Sequence, residues 1–271
     1  MKITFIGGGN MAAAMIGGML ARGFAVGDIH AVDVIDTARE RLRRDLSIGT
    51  YAAADQCAPA SDVVILAVKP QQMSAAARTL RPLIRQQLIL SIAAGIRTAD
   101  LSRWLGDYRN IVRAMPNTPA LVRAGVSGLY AMAQVSQTQR NAAQSLLDAV
   151  GETVWLDDES QLDAVTALSG SGPAYVFYFL EALQEAGRAM GLPEAASRAL
   201  SLHTLLGAAK LAAASSEPAE TLRARVTSKG GTTERALDEM EARQVKQHLI
   251  AAIRAAEARS RELGDEFGGS A

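Results

Sequence analysis

The sequence of 271 residues has little of several features that mark particular classes of protein. It contains one cysteine, Cys57, and three separated histidines, so it has no internal disulfide and no ligand set with the spacing of a structural zinc site. Its 28 basic and 28 acidic residues leave a net charge of zero, which argues against nucleic acid as a partner. Aromatic residues make up only 4%, which predicts a core of aliphatic side chains and methionine.

Long apolar runs are missing as well. No uninterrupted stretch approaches the roughly 20 apolar residues that a membrane-spanning helix needs. The uncharged stretch from Ile3 to Ala21 superficially resembles a secretory signal, but residues 7–10 (Gly-Gly-Gly-Asn) and the glycine pair at 17–18 interrupt it. We therefore expect no membrane association, and with one unpaired thiol we expect a cytoplasmic protein.

The chain is long enough for about two domains. Up to about residue 157, short β-rich runs alternate with alanine-rich helical segments, which is typical of a parallel sheet with crossover helices. The run Val63 to Val68 has no polar alternation, which places it in the centre of the sheet. The predicted strands are 3–6, 29–32, 63–68, 88–92, 111–114, 126–131 and 153–156.

Beyond residue 157 the strand signals stop, and glycines and prolines separate one helix from the next. The predicted helices are 173–191, 194–214, 219–226, 232–241 and 243–263. We expect the terminal segment from Gly264 to Ala271 to fray. These patterns predict two domains, at 1–157 and 158–271.

A glycine-rich motif follows the first predicted strand and opens a helix. It matches G-x-G-x-x-A, with Gly7 for a tight turn, Gly9 for close approach of a pyrophosphate to the helix N-terminus, and Ala12 for close helix packing. Its place at the start of an alternating series predicts an α/β fold with an N-terminal Rossmann-like doubly wound sheet. The candidate dinucleotide-binding residues here are Ile6, Gly7, Gly8, Gly9, Asn10, Met11 and Ala12.

Asp33, at the end of the second predicted strand, stands where an acidic residue bonds the ribose hydroxyls of NAD. That position favours NADH. Four arginines follow closely, however, and one of them is a candidate to hold the 2′-phosphate of NADPH if Asp33 turns away; the alternative for these arginines is a solvated helix face. The candidates are Arg39, Arg41, Arg43 and Arg44. The choice between the two cofactors therefore stays open.

Three further strand ends carry small or turn-forming residues, at the edge where open α/β folds bind ligands. Together they indicate a groove kept open for a flat ring. The candidate cofactor-binding residues at these ends are Ala67, Val68, Lys69, Pro70, Ala93, Ala94, Gly95 and Asn117.

Two loops rich in glycine and hydroxyl groups each lead into a helix of the second half, at 168–174 and 226–233. Ser171 and Thr232 are candidate N-caps. Capping needs only one hydroxyl, whereas Gly230-Gly231 is flanked by four, so we interpret the loops as a site of backbone N–H donors for a small carboxylate.

These segments together resemble the pyrroline-5-carboxylate reductase family over nearly the whole chain. The matching segments are 6–12, 67–70, 91–95, 113–119, 163–175 and 226–233. The resemblance implies reduction of Δ1-pyrroline-5-carboxylate to L-proline by hydride transfer. The family generally favours NADPH and usually has a small hydroxylated residue where Asp33 stands and a proline where Lys229 stands.

The resemblance also implies roles for particular residues. Thr233 corresponds to the hydroxyl that bonds the ring nitrogen, and Lys69 to a lysine near the nicotinamide. The implied substrate-binding residues are Ser171, Gly172, Gly230, Gly231, Thr232 and Thr233. Because the family dimerises through its helical domain, at least a homodimer is expected, with a ring of dimers as an extension.

Two other interpretations remain. A related imine or β-hydroxyacid reductase shares the domain pattern, but it would need a catalytic lysine or acid in the helical half, where the only plausible helix lysine, Lys210, has no surrounding motif. A dinucleotide-sensing regulator has no need for the two hydroxyl-rich loops. The loops therefore favour a small-molecule reductase.

Overall fold

The computed structural model describes residues 1–269 and forms two compact units. One unit comprises Met1–Ser171 together with the chain from Ala256 onward, and the other comprises Gly172–Ala255. The first unit contains the whole sheet, and the second is built from helices. The change from one unit to the other falls later in the chain than residue 157, and the end of the chain returns to the first unit.

Eight strands form a single sheet in the first unit, in the order β3-β2-β1-β4-β5-β6-β7-β8. The order reverses between β1 and β4, which is the doubly wound arrangement that the sequence predicts. The predicted set lacks β3, because this strand has only three residues, all half-buried. The strands are β1 (Ile3–Ile6), β2 (Ile29–Val32), β3 (Gly49–Tyr51), β4 (Val63–Leu66), β5 (Leu88–Ser91), β6 (Ile111–Met115), β7 (Gly125–Ala131) and β8 (Gly151–Trp155).

Strand direction departs from the expected parallel pattern at one place. Six neighbouring pairs are parallel, but β6 and β7 are antiparallel. The chain between them forms only a short 3-10 turn, Thr118–Val122, and parallel pairing would need a crossover of a dozen residues or more. The expectation of parallel strands is therefore wrong for this pair.

Helices cover both faces of the sheet. They are α1 (Asn10–Ala21), α2 (Asp36–Leu46), α3 (Met73–Leu80), α4 (Thr98–Trp104), α5 (Gln137–Asp148) and α6 (Gln161–Val165), which continues as a π-helix at Thr166–Gly170. Strand β4 shows that both faces of the sheet are buried. Val63 and Ile65 join the core that contains α1 and α5, whereas Val64 and Leu66 join the core that contains α3 and α4. This confirms the central place predicted for β4.

The helical unit contains α7 (Gly172–Ala189), α8 (Glu194–Ala213), α9 (Ala219–Arg225), α10 (Thr232–Ala242) and the start of α11 (Val245–Gly269). The predicted helices match these bounds within two residues, apart from the end of α11. Helices α7 and α8 approach closely, because a Cβ at Gly187 would stand 2.8 Å from the Ser197 hydroxyl oxygen. Large apolar side chains of these helices nevertheless remain exposed, among them Phe177 at 65% and Leu200 at 58%.

The last turns of α11 belong to the first unit and contact its other elements. The Ser260 hydroxyl donates a 2.7 Å hydrogen bond to Asp163, and both residues are buried. Arg97 forms an ion pair with Asp265 at 2.7 Å. These contacts offset the entropy of ordering the chain end, so the expected fraying from Gly264 is wrong as far as Gly269; residues 270 and 271 lie outside the described part.

Candidate active site

The turn after β1 has a backbone that only glycine adopts without strain. Gly7 has a φ of +104°, and a Cβ there would stand 2.8 Å from the carbonyl carbon and oxygen of Ala67. The Gly7 N–H donates to the carbonyl of Val32 at 2.8 Å, which ties the turn to the neighbouring strand end. The turn therefore brings the ends of β1, β2 and β4 together.

Helix α1 begins immediately after this turn with its N-terminal N–H groups free of any side-chain cap. Its N-cap is Gly9, and a Cβ built on Gly9 would meet no atom within 4 Å. Open space beside uncapped helix N–H groups is the arrangement that accepts a pyrophosphate. The residues present thus fit a dinucleotide. Ala12 is 1% exposed, as its predicted packing role requires.

A cleft of about 1080 Å³ lies at this edge of the sheet. Nine of the predicted cofactor-binding residues line it: Ile6, Gly7, Gly8, Gly9, Asn10, Asp33, Ala67, Val68 and Lys69. Met11, Ala12 and Pro70 belong to neighbouring turns of the chain and do not line it. Sequence reasoning did not single out Thr37, Ala38 or Gln72, which also line the cleft; their only signal was a position close after a strand end.

Asp33 lies beside the glycine turn with both carboxylate oxygens bonded to the backbone. One oxygen accepts the Gly8 N–H at 2.7 Å, and the other accepts the Ile35 N–H at 2.9 Å. These two bonds fix the glycine turn against the residues that follow β2. Asp33 therefore stabilises the glycine turn, in addition to its predicted place near the ribose.

Lys69 is exposed at the end of the segment that follows β4 and lines the cleft. Pro70, at the first position of a 3-10 turn, fixes the chain direction immediately after it. Because a lysine ammonium is a point charge on a flexible stem, Lys69 supplies positive charge at the mouth of the cleft without a fixed hydrogen bond.

The two other predicted strand ends lie outside this cleft. Gly95 has a φ of +72°, and a Cβ there would approach the ring of Phe267 at 3.1 Å, so α11 covers the loop that also contains Ala93 and Ala94. The side chain of Asn117 is buried and forms its hydrogen bonds within the protein. It accepts the Val126 N–H at 2.9 Å and donates to the carbonyl of Ser169 at 3.2 Å.

Ser171 and Gly172 follow the π-helix at Thr166–Gly170. The Ser171 N–H donates to the carbonyl of Thr166 at 2.8 Å, which is the wider hydrogen-bond spacing of a π turn. Such turns often occur at functional sites because they reorient the chain that follows. Ser171 does not cap α7 with a side-chain hydrogen bond among those described.

The second hydroxyl-rich loop leads into α10. Its N-cap is Gly231, with Thr232 already inside the helix, so the prediction of Thr232 as N-cap is wrong. The Gly230 N–H donates to the Glu234 carboxylate at 2.6 Å, and the Gly231 N–H to the Ser228 carbonyl at 3.0 Å. Both amides thus have internal acceptors. Thr232 and Thr233 are exposed at the start of the helix.

Other candidate chemistry is limited within residues 1–269. No group of three histidine, cysteine, aspartate or glutamate side chains there is arranged to hold a metal ion. None of the described helices has the length and hydropathy to cross a membrane. Cys57 is buried, and this burial raises the pKa of its thiol, which disfavours the reactive thiolate.

The doubly wound sheet, the glycine turn and the uncapped helix N-terminus define a dinucleotide-binding oxidoreductase, with a separate helical unit. Two family models match the chain. One, described as pyrroline-5-carboxylate reductase dimerisation, matches residues 159–263, and the other, described as NADP oxidoreductase coenzyme F420-dependent, matches residues 2–95.

Comparisons over the whole chain agree with the first of these models. The chain is 48% identical to a pyrroline-5-carboxylate reductase of Pseudomonas aeruginosa over 98% of each chain. The solved structure of a Coxiella burnetii pyrroline-5-carboxylate reductase has a TM-score of 0.92 at 40% identity, covering 97% of this chain and 98% of that one. The Plasmodium falciparum pyrroline carboxylate reductase with NADP bound has a TM-score of 0.86 at 26% identity and the same coverage. The chain belongs to the pyrroline-5-carboxylate reductase family.

Proposed function

We propose that this chain reduces Δ1-pyrroline-5-carboxylate to L-proline with NADPH or NADH, the last step of proline biosynthesis. The observation that carries the proposal is its 48% identity to a pyrroline-5-carboxylate reductase over 98% of both chains. The glycine turn and the open space at Gly9 support it, because they fit the dinucleotide that such a reduction consumes.

Bound NAD(P)H would supply the hydride, and the protein binds and orients the cofactor and the substrate. The ring nitrogen of the protonated substrate makes the adjacent carbon electron-poor. A hydride forms the new C–H bond at this carbon, and the electron pair of the C=N π bond returns to nitrogen, which keeps its proton. Because the iminium is already a strong acceptor, holding the two reactants in contact accounts for most of what the enzyme must do.

The start of α10 is our candidate for substrate binding. The Thr233 hydroxyl bonds the ring nitrogen, and the N–H groups of Thr232 and Thr233 hold the carboxylate at the positive end of an 11-residue helix. Gly230 and Gly231 shape this turn, since their own N–H groups already have internal acceptors.

Ser171, Gly172 and Lys69 complete the proposed set. We assign the first two to substrate, because they follow the π-helix that reorients the chain before α7. We assign Lys69 to the nicotinamide end of the cleft, where its charge polarises the reacting groups. Asn117, Ala93, Ala94 and Gly95 lie outside the cleft at the glycine turn, so we propose that they contact the cofactor only through the backbone of the loops that end β5 and β6.

We further propose that residues 1–157 bind the dinucleotide and that 158–271 bind substrate and form a homodimer in the cytoplasm. The match of residues 159–263 to a dimerisation domain supports homo-oligomer formation. The exposed apolar side chains of α7 and α8 support it as well, because association would remove them from water. A ring of dimers is the larger assembly that we propose to test.

The direct test mixes purified protein with pyrroline-5-carboxylate and either NADPH or NADH. Loss of the reduced cofactor with matching formation of proline is the expected result. A folded protein that binds either cofactor but forms no proline would contradict the proposed reaction. Light scattering of the same sample measures the assembly: a dimer fits the proposal, a multiple of two subunits fits the ring, and a monomer contradicts both.

Thr233→Ala tests the substrate assignment. The variant loses one hydroxyl bond to the imine, so we expect kcat/KM to fall by the equivalent of about 1–3 kcal/mol. Thr221→Ala, which removes a hydroxyl from α9, is the matched control and should leave kcat/KM unchanged. An unchanged value for Thr233→Ala would remove this residue from the site.

A further inference from the structure

An ion pair inside the first unit joins three of its elements. Arg113, on β6, is buried, and its guanidinium donates to the partly buried Glu159 carboxylate at 3.0 Å. The same carboxylate accepts two bonds from Thr98, the first residue of α4: one from the N–H at 2.7 Å and one from the hydroxyl at 2.6 Å. Glu159 itself lies two residues before α6. One carboxylate therefore connects β6, the start of α4 and the start of α6.

Stability alone does not account for this ion pair. Taking two charges out of water costs about as much as their attraction returns, so apolar residues of similar volume often replace a buried pair without loss. The Thr98 N–H needs an acceptor, because the N-cap of α4, Arg97, forms no side-chain cap, but a neutral amide oxygen would satisfy it. What the ion pair adds is direction, because charged hydrogen bonds of a guanidinium to a carboxylate fix the relative orientation of the two groups.

Two segments that we assign to the ligands adjoin this ion pair. The loop after β5, which we assign to the cofactor, ends at Thr98. Ser91, the last residue of β5, is the register partner of Arg113, so the arginine lies beside the start of this loop. Glu159 precedes α6 and its π-helix, which lead directly to Ser171, assigned to the substrate.

Strand β6 also contacts the far end of the segment that begins at Glu159. Asn117, two residues after β6, donates to the Ser169 carbonyl at 3.2 Å. A Cβ at Gly170 would stand 2.6 Å from the terminal methyl carbon of Met115, so the last turn of the π-helix lies against β6. The segment that leads to Ser171 is therefore bonded at both ends to β6 or the residues just after it.

We propose that Arg113 and Glu159 are positioning residues for the reduction, and that their ion pair holds the loop after β5 in a fixed place relative to Ser171. The inference rests on the proposed function, which assigns this loop to the cofactor and Ser171 to the substrate. Hydride transfer needs its reacting atoms about 3–3.5 Å apart, and a displacement of about 1 Å can cost a hundredfold in rate. The ion pair therefore affects the rate of the hydride step more than the affinity for the cofactor.

A double variant removes the ion pair without leaving a buried charge. In Arg113→Met/Glu159→Gln, methionine fills much of the arginine volume, and the glutamine carbonyl still offers an acceptor to the Thr98 N–H. We expect the free energy of unfolding to stay close to that of the unaltered protein and the affinity for NADP+ to change by less than about threefold. The hydride step, measured in a single turnover by the loss of NADPH absorbance, should slow by roughly tenfold to a hundredfold.

Asp265→Asn is the matched control. It makes the same change from carboxylate to amide in the ion pair with Arg97, the residue before Thr98, but that pair is exposed at the surface. Rate, affinity and stability should all stay unchanged. A pair of single variants tests the charge itself: Arg113→Lys keeps a cation opposite Glu159 and should retain more of the hydride rate than Arg113→Met.

Hydrogen exchange tests the ion pair without turnover. In the double variant, the amides of residues 92–98 and 166–171 should exchange faster than in the unaltered protein, because both segments lose a shared anchor. Unchanged exchange in both segments would overturn the inference, whether or not the protein forms proline. If the unaltered protein binds NADPH but forms no proline, the proposed reaction fails, and the exchange result alone decides whether the ion pair holds the loop.

The rates give a second way to overturn the inference. An unchanged hydride step in a stable double variant would exclude a positioning role. A rate loss no larger than the loss of folded protein would make the ion pair purely structural, and a rate loss matched by an equal loss of NADP+ affinity would limit it to cofactor binding. Either result would contradict the proposal.

Discussion

The two compact units differ in where they place their apolar side chains. In the first unit, strands and helices enclose two cores, with Phe5 and Ile65 fully buried. In the helical unit, α7 and α8 bury almost only small residues, namely Gly187, Ser197 and Ser201. A unit with its own core is stable within one chain. A unit that leaves Phe177 and Leu200 exposed needs another protein surface to bury these side chains.

The largest expected effect comes from breaking the association of the helical unit. Phe177→Glu replaces an exposed apolar ring with a charge, and two copies per dimer should cost roughly 3–6 kcal/mol of association, from about 1.5–3 kcal/mol for each phenylalanine. Analytical ultracentrifugation should show that the variant dissociates to monomers at subunit concentrations at which the unaltered protein is still dimeric. Gln86→Glu adds the same charge to the first unit and should leave the assembly intact. An unchanged assembly in Phe177→Glu would place the interface elsewhere.

A pair of glycine variants examines the first unit. Gly7→Ala should destabilise the fold by about 1–3 kcal/mol through backbone strain, since Gly7 has a positive φ and no room for a Cβ. Gly9→Ala should leave the fold intact, because open space surrounds that Cβ, but should weaken cofactor binding by filling the space meant for the pyrophosphate. Chemical unfolding and NADP+ titration measure the two effects. Equal stability of both variants would contradict this division.

The smallest of these effects concerns the end of α11. Ser260→Ala leaves the buried Asp163 carboxylate without its 2.7 Å donor and should cost roughly 1–2 kcal/mol of unfolding free energy. Arg259→Ala is the control on the neighbouring residue, which is exposed and forms surface ion pairs with Glu262 and Glu266. It should show no measurable change. A Ser260→Ala variant as stable as the control would mean that α11 is held by other contacts.

Local patterns predicted much of the first unit. Seven strands, the central place of β4 and the glycine turn are visible in sequence because each depends on neighbouring residues: buried strands are continuous apolar runs, and tight turns need glycine. Strand β3 and the antiparallel direction of β7 were not predicted. A three-residue half-buried strand has no periodic signal, and the direction of a strand depends on the distant strand with which it pairs.

For the candidate site, the sequence predicted residues and the tertiary structure shows which groups they contact. The motif predicted Gly7, Gly9 and Asp33 as cofactor-binding residues, and all three line the cleft at the glycine turn. Sequence also offered Arg39, Arg41, Arg43 and Arg44 as equals. Only folding distinguishes them, because hydrogen bonds to Asp36, Thr50, Asp45 and the Gly8 carbonyl depend on where the chain brings these groups.

The sequence by itself determined the alternating architecture of the first unit, the run of helices after it, and the family, since these follow from short-range periodicity and motifs spread along the chain. The tertiary structure alone decided which arginine lines the cleft at the glycine turn, which amides of the α10 loop keep internal acceptors, and that the end of α11 packs beside Asp163. The physical reason is that hydrogen bonds and burial act between groups far apart in the chain, and only the folded backbone brings them within bonding distance.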